Sequence, residues 1–252
     1  MRGERKLFPW PKDYEGAISL TFDDGMPSQL TIAAPLLNDY KLCGTFYLIP
    51  RGNDWIDRLA PWQKVAKYGH EIGNHSLSHM CSSNFGELFF PGLENASLKD
   101  IESDIVESQQ RLQKAFPSQK KWTFAYPCYQ SFVGRGKGRQ SYVPIVANYF
   151  VAARGLGEGV AANLPSVCDL HFLWSWPAQR MSGAEMIGLV EQAVSQGRWG
   201  IFTFHGINEG HLPTSEFDLK EILSFLDRNR DRIWTAPVIQ IAQYISKRRT
   251  YL

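Results

Sequence analysis

Short apolar runs alternate with helical patterns along most of the chain, and this alternation limits the fold more than any other feature. Ala17–Phe22, Cys43–Ile49, His70–Gly73, Trp122–Tyr126, Phe150–Ala153, His171–Ser175, Gly200–Phe204 and Ile233–Trp234 read as strands. Ser28–Tyr40, Leu59–Tyr68, Tyr142–Tyr149, Ala184–Gln196, Glu216–Arg228 and Val238–Ser246 read as helices, as does a run that opens on the capping signal Ser97-x-x-Asp100 and ends before Pro117. Strands alternating with helices imply a parallel sheet. With roughly seven such units and no break in composition over 252 residues, the expectation is one α/β domain spanning residues 1–252. A closed or partly closed βα barrel fits best, and an open doubly wound sheet is the alternative.

Three of these strands end on residues that can hold a metal or move a proton. Ala17–Phe22 runs into Asp23-Asp24-Gly25, where adjacent carboxylates meet a glycine turn. Burying two adjacent anions is costly unless a positive charge compensates them, and a metal ion is the simplest source. The third strand delivers Asn74-His75-Ser76-Leu77-Ser78-His79, and Gly200–Phe204 delivers His205. The spacing of His75 and His79 puts both rings on one side of a helical turn. In parallel α/β folds the residues beyond the C-terminal strand ends line one mouth. Two imidazoles and one carboxylate are a common ligand set for catalytic zinc.

Thr21-Phe22-Asp23-Asp24-Gly25 and His75-Ser76-Leu77-Ser78-His79 resemble the first two motifs of the polysaccharide deacetylase family, also called carbohydrate esterase family 4 or the NodB-homology domain, and Phe204-His205 is similar to its last motif. The resemblance runs from about Ala17 to the C-terminal helices. It implies a distorted (β/α) barrel, usually of seven strands, and metal-dependent removal of acetyl groups from sugars. On that resemblance Asp24, His75 and His79 would ligate a divalent metal, most simply Zn2+. Asp23 would be the general base and His205 the general acid.

Two later motifs depart from the family pattern: the third is altered, and the fourth, an aspartate and a tryptophan, has no clear match, although Asp169, Trp174 and Trp176 are present. Where the family has Arg-x-Pro-Tyr/Phe-Gly, this chain has Ala125-Tyr126-Pro127-Cys128-Tyr129, so Ala125 replaces the arginine that steadies the base. Arg135 and Arg154 are the candidate substitutes. Pro127 has no N–H, so the backbone donor expected at the oxyanion belongs to Cys128. Tyr126 and Cys128 are thus candidate substrate-contacting positions. Trp174 and Trp176 offer either a sugar platform and pocket wall or plain core.

Composition excludes little beyond these classes. A net charge of +2 argues against a nucleic-acid partner. No run approaches the ~20 apolar residues that span a membrane. Cys43, Cys81, Cys128 and Cys168 form no C-x-x-C pair and read as free thiols. The start, Met1–Trp10, is basic and proline-broken, without the apolar core of a secretion signal. The compartment stays open between the cytoplasm and secretion with a leader outside this chain. Met80–Asn95 reads as an insertion whose Phe85, Leu88, Phe89 and Phe90 form a small satellite core or a lid, the core being the favoured reading. The partner expected is an acetylated carbohydrate. Hydrolysis of a non-sugar amide or cyclic imide, or carbohydrate binding without catalysis, are the alternatives. Oligomeric state is not readable.

Overall fold

β1 (Gly16–Phe22) is buried along its whole length, and the sheet is built outward from it. It pairs in parallel with β9 (Trp199–Phe204) on one edge. On the other edge it pairs with β2 (Thr45–Leu48) at its C-terminal end and with β10 (Ile233–Thr235) at its start. β3 (Glu71–Asn74), β4 (Thr123–Ala125) and β7 (Ala152–Arg154) continue beyond β2, and β8 (Trp176–Pro177) lies beyond β9. The path β7-β4-β3-β2-β1-β9-β8 is therefore seven parallel strands. The sheet curls until the run leading into β8 meets β7, where Leu173 N–H donates to Ala153 O and Gly155 N–H to Leu173 O, both at 2.8 Å. The result is the expected distorted barrel.

The computed structural model describes residues 8–89 and 91–249. Met1–Leu7, which carry most of the basic N-terminal run, lie outside the described residues, as do Phe90 and the Phe89 side chain. Among the described residues no helix is long and apolar enough to cross a membrane.

The strand period of two explains what each face does. On β1, Ile18, Leu20 and Phe22 join the large core under the helices, whereas Ser19 and Thr21 turn inward and spend their hydroxyls on Ala236 O (2.8 Å) and Phe202 O (2.6 Å). Asp23 continues that inward face. His75 follows Glu71 and Gly73 in the same way, and His205 follows Ile201 and Thr203. The helices that cover the outside are α1 (Ala34–Asp39), α2 (Trp55–Leu59), α3 (Trp62–Lys67), α4 (Leu98–Ala115), α5 (Val143–Tyr149), α6 (Gly183–Ser195), α7 (Glu216–Arg228) and α8 (Val238–Arg249). α4 starts at the expected Ser97 capping box.

Several expectations need correction. The run Ser28–Tyr40 is not one α-helix: a π-helical turn, Gln29–Ala33, precedes α1. The last strand before α6 is Trp176–Pro177, not His171–Ser175, because this run must reach β9 in register, Trp176 opposite Phe202. The glycine-rich Gly134–Gly138 segment caps a short hairpin of β5 (Phe132–Val133) and β6 (Gln140–Ser141). In the insertion, Leu93 is buried but Leu88 is 98% and Phe85 59% exposed, so the satellite-core reading fails there. Near the C-terminus Arg249 donates to Pro165 O at 2.7 Å and to Cys168 Sγ at 3.1 Å.

The barrel interior holds a second carboxylate, Glu71, which accepts from Thr45 Oγ1 (2.8 Å), Ile239 N (2.9 Å) and Thr123 Oγ1. Burial outweighs these donors and pushes the carboxyl up to about 7. A folded-state value raised above 4.5 means that the native protein holds a proton the unfolded chain releases. Its stabilising contribution is full below pH ~4.5 and is lost as pH rises through ~7, with each tenfold gain in proton affinity worth ~1.4 kcal/mol. Denaturant unfolding at pH 5 and pH 8 should show Glu71→Gln losing less stability over that interval than the wild type. Equal losses would contradict this account.

Candidate metal centre and active site

At the mouth of the barrel the chain turns sharply after each inward strand. Asp24 (φ 75°) and Gly25 (φ 65°) both take left-handed backbone, which swings Asp24 away from Asp23 rather than alternating with it. The Asp24 carboxylate then faces two imidazoles: its Oδ1 lies 3.5 Å from His75 Nε2 and 3.4 Å from His79 Nε2. The His75–His79 segment is not helical, as the spacing had suggested. It is a loop with Ser76 (φ 62°) and His79 (φ 53°) in left-handed backbone. Asp104 of α4 holds it by accepting from Leu77 N–H (2.7 Å) and Ser78 N–H (3.0 Å), and Asn74 Oδ1 accepts from Ser76 N–H (2.8 Å).

The donor set fits a tetrahedral divalent ion. Ligand atoms ~2.0–2.2 Å from zinc stand about 3.3–3.5 Å apart, close to the separations above. His75 Nδ1 lies 2.8 Å from Ala125 O. A carbonyl only accepts, so Nδ1 carries the proton and Nε2 turns its lone pair to the centre. Asp24 Oδ1 is buried with no hydrogen-bond donor among the described residues. Burial opposes ionisation of Asp24, but the nearby His75, His79 and His205 imidazoles win and hold its carboxyl well below the usual range. Burial lowers His75, yet the Asp23 and Asp24 carboxylates outweigh it and raise the imidazole. Burial and the neighbouring His75 bring His79 down to about 4, which leaves it neutral at pH 7.

Asp23 is tied to Arg154, although its Oδ2 also lies 3.8 Å from His75 Nε2. Its side chain is buried and paired through Oδ1 with Nη2 of Arg154, which is itself fully buried. Arg154 also donates from Nη1 to Thr203 Oγ1 at 2.8 Å and lies 5.0 Å from the Tyr47 ring centre. The register explains the pairing: Arg154 of β7 stands directly beside Ala125 of β4. The guanidinium missing at Ala125 thus enters the same lumen from the adjacent strand. Arg135 is no such partner; it is exposed and donates to Asn95 Oδ1 at 2.6 Å.

His205 extends the inward face of β9 next to Asp23, whose N–H donates to Phe204 O at 2.9 Å. Burial lowers the imidazole, against the pull of the Asp23 and Asp24 carboxylates. Gln29, from the π-helical turn, ties the two strand ends together: its Nε2 donates to Asp23 O (2.5 Å) and His205 O (3.0 Å). Neither Gln29 nor Asp104 was found by sequence reasoning. Both act on backbone groups, for which an isolated glutamine or aspartate gives no motif. Tyr129 was also missed. Its ring centre is 5.9 Å from the Arg154 guanidinium, and burial pushes its hydroxyl up to about 12.

Other candidates lie elsewhere. Tyr126 is buried and its hydroxyl donates to His171 O at 2.8 Å, so its side chain is core. Trp176 is also core. Its ring stacks edge-on to Phe202 (5.0 Å between centroids) and covers Gly200, where a Cβ would come within 2.5 Å of it. Cys128 does sit at the mouth, but not as a thiol: it is joined to Cys81 in a disulfide. Only Cys43 and Cys168 remain free, which corrects the reading of four thiols.

A family model described as polysaccharide deacetylase matches residues 11–131. A gellan lyase from a Bacillus species is 26% identical over 98% of this chain, but the match spans only 10% of that protein. A peptidoglycan-N-acetylglucosamine deacetylase from Bacillus cereus is 32% identical over 40% of this chain and 41% of its own length. The chain therefore matches less than half the length of these relatives. A Mycobacterium smegmatis structure assigned as a polysaccharide deacetylase superposes with a TM-score of 0.65 at 16% identity, over 96% of this chain and 94% of that one, and shares its fold.

The ion pair makes a quantitative prediction. Arg154→Met leaves a buried carboxylate unpaired and should cost ~3–5 kcal/mol in denaturant unfolding, whereas Arg135→Ala should stay within ~0.5 kcal/mol. Adding Asp23→Asn to Arg154→Met should recover part of the loss. Similar small losses for both arginine variants would refute the assignment. The motifs at the strand ends, the curled seven-stranded sheet and these relatives agree with the polysaccharide deacetylase family model, which residues 11–131 match.

Proposed function

We propose that the chain is a metal-dependent hydrolase that removes acetyl groups from carbohydrate, either N-acetylglucosamine-type or O-acetylated sugar chains. The observation that carries this reading is the division of the two adjacent carboxylates. Asp24 faces His75 and His79, with all three ligand atoms within 4.8 Å of one another, while Asp23 faces Arg154.

Asp24, His75 and His79 would hold a divalent ion, zinc by this ligand set, which would supply Lewis-acid polarisation and a more acidic water. The protein's own groups do the rest. Arg154 fixes the Asp23 carboxylate beside the centre, where Asp23 accepts a proton from the attacking water. The Cys128 N–H, the first donor after Pro127, serves the developing oxyanion. His205 gives a proton to the departing amine or alcohol. Burial, which lowers its affinity for that proton, makes the imidazolium the stronger acid. Gln29 keeps Asp23 and His205 in one frame by holding both backbone carbonyls.

Acetate release is the direct test. Chitooligosaccharides, peptidoglycan fragments, acetylated xylan and simple amides should be compared, and the sugar substrates should be the ones turned over. Release from amides alone would replace this reading with a non-sugar amidase. Two variants separate the roles. Asp23→Asn should keep near-stoichiometric metal by elemental analysis while kcat falls ~10²-fold or more. His79→Ala should lose the metal. Metal lost in Asp23→Asn, or retained in His79→Ala, would overturn the ligand assignment.

A further inference from the structure

The candidate centre shares one of its histidines with a sulfur cluster. His79 turns Nε2 to Asp24 and Nδ1 to Cys81 Sγ, 3.7 Å away. A ring nitrogen of His79 and the sulfurs of Cys81 and Cys128 all lie within 4.8 Å of one another. Nothing in the hydrolytic scheme uses the two sulfurs or this face of the imidazole.

We propose that reducing the Cys81–Cys128 disulfide opens a second metal site, in which the two thiolates and His79 Nδ1 bind zinc beside the hydrolytic centre. The dimensions suit this. With Zn–S ~2.3 Å and Zn–N ~2.0–2.1 Å, a tetrahedral ion holds S and N about 3.6 Å apart, and the observed separation is 3.7 Å. The cysteine Cα atoms are 5.8 Å apart, which leaves room for the sulfurs to part to the ~3.8 Å that two thiolates on one ion need. Two thiolates and an imidazole form a softer set than Asp24, His75 and His79, so the new site favours zinc over oxygen-seeking ions. The fourth position opens to water, because His79 and Cys128 are only half-buried while Cys81 is fully buried.

The same asymmetry sets the chemistry of opening, which takes an external dithiol as reductant. A thiolate of the dithiol attacks Cys128 Sγ, the accessible sulfur, forming a mixed disulfide and expelling Cys81 as thiolate. The dithiol's second thiolate then attacks its own sulfur in that bond, releasing Cys128 as thiolate and leaving the reductant as a cyclic disulfide. Two electrons reach the cysteine pair. With zinc taking both thiolates, the two dithiol protons pass to solvent, and in the protein free of other metal His79 keeps its one ring proton, on Nε2.

The site does not depend on the hydrolase reading, since Asp23, Asp24 and His75 take no part in it. The full chain, stripped of metal, is reduced with a dithiol, freed of reductant without air and titrated with Co2+. Reduced wild type and reduced Asp24→Asn should both develop a thiolate-to-cobalt charge-transfer band, with the far-ultraviolet circular dichroism unchanged. Oxidised wild type and the Cys81→Ser/Cys128→Ser double variant should lack it. His79→Ala should need at least tenfold more cobalt to reach it. No band in the reduced wild type at saturating cobalt, a band that survives in the double serine variant, or a band that appears only as helical signal is lost would each overturn the proposal.

Discussion

The ion pair between Arg154 and Asp23 is the interaction on which the rest of the mouth depends. Two adjacent carboxylates at a strand end repel each other, and both approach buried surroundings. The chain resolves this by separating their partners. Arg154 compensates Asp23 from inside the barrel, and the left-handed turn at Asp24 sends the second carboxylate to the histidines. Without the guanidinium, Asp23 would compete with Asp24 for any cation at the mouth. With it, Asp23 is held by Arg154 while Asp24 faces His75 and His79.

The barrel interior is arranged to hold that guanidinium. Below it, Tyr47 packs under the Arg154 plane and shares the Thr123 hydroxyl with Glu71. Thr203 takes one Arg154 donor and passes its own proton to Ser175 Oγ at 2.9 Å, and Ser175 donates to Gly155 O at 2.7 Å. A lumen lined by threonine, serine and tyrosine on the inward positions of successive strands satisfies charges that an aliphatic lumen would expel. The outward positions of the same strands are phenylalanine, leucine and isoleucine and pack under the helices. The strand period therefore separates a polar interior from an apolar shell.

The sequence shows the fold and the cluster of Asp24, His75 and His79 because both are local. Alternating apolar runs mark the strands, and Asp23-Asp24, His75, His79 and His205 each follow one directly. It shows less where the determinant is a relation between strands. The contact of Arg154 with Asp23 follows from β7 lying in register beside β4, which no local pattern displays, so the sequence only slightly favours Arg154 over Arg135. The disulfide is hidden for the same reason, since Cys81 and Cys128 are 47 residues apart and meet only when the two mouth loops fold together. Trp176 and Tyr126 carry the residue types of a sugar platform, but the register turns both into core. The helical reading of His75–His79 fails because Asp104 offers the loop N–H groups a better acceptor than a helix would.

Anomalous diffraction from crystals of zinc-loaded, oxidised protein tests the central claim most directly, because it reports which of the two carboxylates holds the ion. The account predicts one strong peak at the mouth, ~2.0–2.2 Å from Asp24 Oδ1, His75 Nε2 and His79 Nε2, with the Asp23 carboxylate still paired to Arg154. A peak bonded to Asp23 with Arg154 displaced, or no peak at the mouth in crystals that bind zinc elsewhere, would contradict it.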